Sequence, residues 1–194
     1  MIQRALDAGL PFAWFAADEE FGQNPGLRAF LEERGIPYVM AIPENTGLTG
    51  PDGNKQTIEE AARKVRPHDW QRRACGIGSK GFRVYDWALL NTGQPGHQYM
   101  IRRSIDDGEL AYYHCHNPRG EGFGELVRAA GMRWPIEESF EAAKGEAGLD
   151  NYQVRRYDAW YRHITLAMLA LAFLAVMRHK SKKGARHLWT TRTT

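Results

Sequence analysis

The alternation of apolar and polar residues near the start of the chain predicts a compact β-α-β unit. Two short apolar runs, residues 11–18 and 36–43, are typical of strands that are buried on both faces. Between them, an amphipathic segment follows Pro25 and stops at Gly35, which predicts a helix. A strand, a helix and a second strand in this order normally give two parallel strands joined by a right-handed crossover.

The pattern changes between residues 44 and 124, where turn residues become dense. Three segments in this region, residues 82–90, 97–105 and 110–117, are rich in aromatic and β-branched residues and predict antiparallel strands. The sequence GIGSKG directly before the first of them favours a glycine hairpin over a phosphate-binding loop, because the glycine and lysine spacing of a P-loop is absent. We interpret residues 44–124 as a β-rich insertion.

Helical periodicity returns after the insertion. The apolar run ITLAMLALAFLAVM, residues 164–177, contains no charge and is too short to span a bilayer, so it predicts a helix buried on most sides in a soluble protein. The basic, polar end of the chain predicts a mobile tail. We therefore predict an α/β (α+β) fold made of residues 1–43 and 125–178, with residues 44–124 inserted and residues 179–194 as the tail.

Composition and charge narrow the class of protein only slightly. The 194 residues include 26 Lys and Arg against 23 Asp and Glu, and a net charge of +3 does not by itself require a nucleic-acid partner. Cys75 and Cys115 form no C-x-x-C pair, and no signal-peptide pattern is present, so we expect a cytoplasmic protein without a membrane partner. His114 and His116 alternate on a predicted strand and should share a face, but further ligands at zinc-binding spacing are missing.

A glutamate-rich helix provides the first candidate chemistry. Pro135 suits the first turn of a helix, and Ile136, Phe140 and Ala143 recur at the spacing of a buried stripe. Glu137, Glu141 and Lys144 recur at the same spacing on its flank, a pattern that a solvated helix face would also produce.

Asp18 provides a second carboxylate. It follows the first predicted strand at its carboxyl end, where open α/β sheets place their ligands. Together with Glu137 it could bind a divalent cation such as Mg²⁺, which takes one or two carboxylates plus substrate phosphates.

The order of residues around this helix resembles a known signature. Arg133, Glu137 and Lys144 are separated by three and six residues, as in the Y-R-E-K signature of insertion-sequence DDE transposases, although Ala130 occupies the tyrosine position. The run D-E-x-F-G that begins at Asp18 resembles the second aspartate motif of the same family.

The resemblance implies a ribonuclease H-like core with an antiparallel β-rich insertion, and it implies cleavage and strand transfer of DNA at transposon ends with Mg²⁺ or Mn²⁺. It makes Asp18 and Glu137 the catalytic metal ligands, Arg133 and Lys144 phosphate contacts, and Trp134 a platform for an unpaired base. A second basic cluster around the hairpin is either a DNA-backbone patch or a solvated hairpin, and its members are Arg72, Arg73, Lys80 and Arg83.

One departure from the family pattern matters for activity. The family uses three carboxylates, and the acidic residue before Asp18 is Asp7, in a predicted short helix. We therefore expect an N-terminally truncated transposase, associated with the nucleoid and inactive alone, with an unpaired apolar edge beside the Asp18 strand. The alternatives are a non-catalytic remnant that binds DNA, forms a homodimer or associates with intact transposase, and a decayed product without function.

Overall fold

The computed structural model describes residues 1–50, 53–78, 81–153 and 155–190, the last nine of these by their backbone alone. The chain forms two compact units, Met1–Trp134 and Pro135–Thr194. The mixed α and β content agrees with the predicted α/β (α+β) class.

The first unit contains eight strands and five helices among its described residues. The strands are β1 (Phe15–Ala17), β2 (Tyr38–Ile42), β3 (Gly47–Thr49), β4 (Lys55–Thr57), β5 (Gln71–Gly78), β6 (Gly81–Asn91), β7 (His97–Arg103) and β8 (Leu110–His116). The helices are α1 (Ile2–Asp7), α2 (Glu19–Gly22), α3 (Pro25–Glu32), α4 (Ile58–Arg63) and α5 (Phe123–Gly131), and a 3-10 turn covers Pro67–Asp69. Six strands form one sheet in the order β1-β2-β8-β7-β6-β5, while β3 and β4 pair separately.

The predicted β-α-β unit is present. Strands β1 and β2 pair in parallel, with Phe15 opposite Tyr38, and α3 connects them. Asn24 caps α3 by accepting a hydrogen bond from the Leu27 amide at 3.0 Å, and Gly35 follows the helix with a positive φ of 62°. Burial on both faces was predicted for both strands and holds only for β2, because β1 lies at the edge of the sheet and is half-buried.

The predicted antiparallel strands are also present. Strands β5 to β8 form an antiparallel meander, and β8 pairs with β2, with His114 opposite Met40. The meander therefore belongs to the same sheet as β1 and β2, although the insertion was predicted to begin at residue 44. The proposed domain limits themselves stay predictions. The hairpin predicted from GIGSKG joins β5 and β6, and its turn residues 79 and 80 lie outside the described residues.

One face of the sheet is covered by α5. Trp87, Met100 and Cys115 are buried in this layer against Leu126 and Val127 of the helix. Burying side chains of this size stabilises a fold by about 1.5–3 kcal/mol each. This layer fixes α5 against the middle of the sheet.

The opposite face is covered in two places. Near β1 and β2, Leu31 and Phe30 of α3 pack on Tyr38 and Met40. Farther along the sheet, α4 packs on β6, β7 and β8. Thr57 caps the start of this helix in a capping box: its hydroxyl oxygen accepts a hydrogen bond from the Glu60 amide, and the Glu60 carboxylate accepts one from the Thr57 amide.

The second unit consists of two helices. They are α6 (Trp134–Ala147), whose first residue belongs to the first unit, and α7 (Tyr157–Thr190). Arg178 of α7 forms an ion pair with Glu146 of α6 at 2.6 Å, and His163 lies 3.1 Å from the carbonyl oxygen of Gly148. These contacts hold the end of α6 to α7.

Two burial predictions for these helices are wrong. Ile136 and Phe140 were expected in a buried stripe of α6 but are 53% and 49% exposed, and only Ala143 of that stripe is buried. The apolar run in α7 was expected to be a core helix, yet Leu169 is 64% and Phe173 63% exposed. Periodicity identified the helices correctly, but burial depends on what packs against them.

The C-terminal helix also differs from its prediction in length. α7 continues to Thr190, so residues 179–190 are helical where a mobile tail was expected. The stretch Tyr157–Ser181 is long and apolar enough to cross a membrane by length and composition, with a mean hydropathy of 1.5. Core helices of soluble proteins pass the same test when they are mostly buried, whereas this window is 6% buried. The expected lack of a membrane partner stays a prediction.

The contact between α5 and β5 leads to a test of the fold. A Cβ atom added at Gly131 would lie 1.9 Å from the carbonyl oxygen of Cys75, so Gly131→Ala must push the helix away from the strand. We expect the free energy of unfolding to fall by at least about 1–3 kcal/mol, the usual range for overpacking. Gly47→Ala is the control, because its Cβ would meet nothing within 4 Å. Urea unfolding curves should separate the two variants; equal stability would contradict the packing described.

Candidate functional site

Asp18 lies where the sequence placed it, directly after the carboxyl end of β1. It is the N-cap of α2, and its Oδ1 accepts a hydrogen bond from the Phe21 amide at 3.3 Å. Gly22 ends this short helix so close to β2 that a Cβ atom would lie 1.8 Å from the Ala41 carbonyl oxygen. The D-E-x-F-G run therefore has a structural role, since it turns the chain tightly from β1 over β2.

A cleft of about 500 Å³ lies at the carboxyl end of β2. Its lining includes Glu19, Glu44 and Glu109, together with Pro43 and Tyr112. Among the residues that the structure describes, however, no three His, Cys, Asp or Glu side chains are grouped so as to hold a metal ion. The arrangement of the described residues therefore does not fit a complete metal centre.

Glu137 lies in the first turn of α6 and is exposed. Asp18 belongs to the first unit and Glu137 to the second, so their predicted pairing stays a prediction. Lys144 lies exposed in the last turn of the same helix, and Arg133 is half-buried just before it. The R-E-K signature thus spans the limit between the two units.

The basic cluster predicted around the hairpin is divided between the two faces of the sheet. Arg72 lies opposite Asp86 in the register and bonds to that carboxylate at 3.0 Å, which lowers the pKa of Asp86 through this hydrogen bond. Arg73 is on the other face, bonded to Gln71 and 5.3 Å from the ring centre of Phe123. Lys80 lies outside the described residues.

Trp134 takes part in an aromatic and cationic cluster of the first unit. Its ring stacks on Tyr85 with 5.8 Å between ring centres and 7° between planes. The guanidinium carbon atoms of Arg83 and Arg102 lie 5.3 and 5.4 Å from the Trp134 ring centre. The ring that was expected to stack on a base therefore already stacks on Tyr85, and its role as a base platform stays a prediction.

Arg102 was missed by the sequence analysis, although a signal existed. In the segment HQYMIRRSI, Arg102 and Arg103 are adjacent in a strand, so one of the two must point to the face covered by α5. Arg103 points to the opposite face, over Trp70 and onto Asp86, which leaves Arg102 on the face of Tyr85.

His97, His114 and His116 share one face of the sheet, as was predicted for His114 and His116. The rings of His97 and His116 stack at 4.9 Å, and His97 Nδ1 lies 3.2 Å from His114 Nε2. Burial, followed by the nearby Arg28 and the neighbouring histidines, lowers the pKa of His114 to about 3, and burial also lowers that of His97. Two neutral imidazoles can share this hydrogen bond, whereas two charged ones cannot.

Comparison with known families gives one match. Residues 1–89 match the family model described as DDE superfamily endonuclease, a range that includes Asp18, the β-α-β unit and strand β5. The match supports a DDE-type transposase or nuclease family, which implies a DNA substrate and general use of divalent metal ions. The R-E-K residues, from Arg133 onward, lie beyond the matched range. The chain matches no curated protein.

The histidine cluster generates a prediction about pH. His114 has a pKa near 6.5 when unfolded and about 3 when folded, so its neutral form stabilises the protein fully above pH 6.5. This contribution is lost as the pH falls from 6.5 towards 3, because only the unfolded chain takes up the proton. Between pH 7 and 5 we expect the free energy of unfolding to fall by about 1–2 kcal/mol from this residue.

The test compares the wild type with His114→Phe in urea unfolding at both pH values. The variant should lose less stability on acidification, since it has no imidazole to protonate. His68→Phe is the control, because it replaces an exposed imidazole in the 3-10 turn, outside the histidine cluster. An unchanged pH dependence in His114→Phe would show that the cluster is not the acid-sensitive element.

Proposed function

We propose that this chain is the greater part of the catalytic domain of an insertion-sequence DDE transposase. In its full-length form, this enzyme cleaves DNA at transposon ends and transfers the strand with Mg²⁺ or Mn²⁺. The observation that carries the proposal is the position of Asp18, at the carboxyl end of a parallel strand within the range that matches DDE superfamily endonucleases. The R-E-K spacing of Arg133, Glu137 and Lys144 supports the finer assignment to the Y-R-E-K subtype.

The roles follow from chemistry and position. Asp18 and Glu137 supply the carboxylates, while Arg133 and Lys144 supply positive charges for DNA phosphates. Asp18 can serve in catalysis without releasing α2, because a carboxylate has two oxygens and the cap uses Oδ1.

The proposal includes that this chain alone does not cut DNA. Two carboxylates fall short of the three that the family uses, and the described residues contain no group of three metal-binding side chains. A longer form of the protein that carries an aspartate on a strand beside β1 would complete the set. The edge position of β1 supports this view, since β2 is its single partner among the strands that the structure describes.

A second candidate is a non-catalytic remnant that binds DNA and occupies transposon ends, as a homodimer or together with intact transposase. The incomplete carboxylate set and the arginines of β5, β6 and β7 favour it. Both candidates place the protein in the cytoplasm at the nucleoid, and they differ in whether the longer product cuts DNA.

The test uses supercoiled plasmid with Mg²⁺ or Mn²⁺. The longer product, translated from the upstream DNA, should nick the plasmid, and Asp18→Asn and Glu137→Gln should reduce nicking to background. Asn is chosen because it remains a good helix N-cap, so the loss of activity would not come from α2. The control is Glu33→Gln on the longer product, since Glu33 is an exposed residue just after α3.

Three results would change the proposal. Full activity of either carboxylate variant would remove that residue from the catalytic set. Nicking by the present chain, abolished by Glu137→Gln, would overturn its inactivity. Salt-dependent DNA binding without cleavage by the longer product would favour the non-catalytic remnant.

A further inference from the structure

Arg102 lies against two aromatic rings, those of Tyr85 and Trp134. It lies on β7, half-buried on the face covered by α5, and its Nε is buried with no hydrogen-bond acceptor among the described residues. Its guanidinium carbon is 4.6 Å from the Tyr85 ring centre and 5.4 Å from that of Trp134. Aromatic rings therefore hold this cation in place.

Two arginines on the opposite face of the sheet have a carboxylate partner. Arg72 and Arg103 both bond to Asp86, at 3.0 and 3.2 Å. Among the described residues, by contrast, no carboxylate forms an ion pair with Arg102. Asp107 is close enough for a weak electrostatic effect, but its main hydrogen bonds come from Ser104 and the Glu109 amide.

A half-buried guanidinium without a carboxylate has unused capacity to bind an anion. Ring contacts interact with the flat face of the group, whereas its N–H donors point outward in the plane of the fork. This planar fork matches the oxygens of a phosphate and is already held in one orientation by Tyr85 and Trp134. Immobilising the group beforehand removes part of the entropic cost of binding.

We propose that Arg102 binds a phosphodiester group of the DNA backbone, and that Trp134 and Tyr85 orient it for this contact. The identity of the ligand as DNA rests on the proposed function, while the anion site itself does not. Trp134 is then a positioning residue for the arginine. The contact would fix the register of DNA along the meander without reading its sequence.

The first measurement uses inorganic phosphate as the probe. The melting temperature of the whole chain is measured in sodium phosphate and in sodium chloride of equal ionic strength. Phosphate should raise the melting temperature of the wild type by a few degrees relative to chloride, and Arg102→Gln should lose this difference. Arg128→Gln is the control, because Arg128 is already paired with Glu125. An equal response in the wild type and Arg102→Gln overturns the site.

The second measurement uses a fluorescent duplex oligonucleotide at several salt concentrations. Loss of one phosphate contact should weaken binding equally for unrelated sequences and reduce the slope of log affinity against log salt by about one. Arg102→Lys should keep the slope and bind more weakly, since it retains the charge but not the fork. Trp134→Ala should weaken binding without removing the charge. Circular dichroism identifies any variant that does not fold. If Arg102→Gln does not fold, Arg102→Lys is compared with the wild type in its place.

The two measurements separate the two proposals. If the wild type binds DNA and Arg102→Gln has an unchanged slope, the proposed function stands and the Arg102 contact is wrong. If phosphate stabilises the chain through Arg102 and duplex DNA does not bind, the anion site stands and its assignment to DNA is overturned, while plasmid nicking by the longer product still decides the proposed function.

Discussion

The pairing of β2 on both of its edges is the constraint on which the first unit depends. On one side β2 pairs in parallel with β1, and on the other it pairs antiparallel with β8. It is the strand that joins the β-α-β unit to the meander, and nearly all of it is buried. Because side chains alternate between faces, a shift of one residue in this register would move Tyr38 and Met40 away from α3. The position of Asp18 beyond β1 and the positions of the arginines on β5 to β7 are set by the same sheet.

The alternation of faces also determines what the meander can bind. Arg102 and Arg103 are neighbours in sequence, yet one contacts the rings of Tyr85 and Trp134 and the other contacts Asp86. The same division separates Arg72 from Arg73. A basic patch defined by proximity in sequence therefore becomes two surfaces of different charge. The face with Asp86 is partly neutralised, and the proposed phosphate contact of Arg102 therefore lies on the other face.

Much of the first unit could be predicted from the sequence, because its strands and helices have strong periodicity and clear turn residues. The parallel pair, the meander and the hairpin at GIGSKG were all expected. The exposure of α7 could not be predicted, since an apolar run indicates burial only if another element covers it. Arg102 was missed for a related reason: that no carboxylate pairs with it in the described part of the chain depends on cross-strand neighbours, which only the register reveals.

The two interpretations of Asp18 are compatible in physical terms. As an N-cap, its carboxylate satisfies a helix amide through Oδ1, and Gly22 is required by the approach of α2 to Ala41. These facts explain an acidic residue and a glycine at this spacing without any catalysis. They do not explain why the turn occurs at the carboxyl end of a parallel strand within a range that matches DDE endonucleases. A cap also fixes the carboxylate in position, and a fixed carboxylate loses less entropy when it binds a cation. The structural role of Asp18 is thus compatible with the proposed catalytic one.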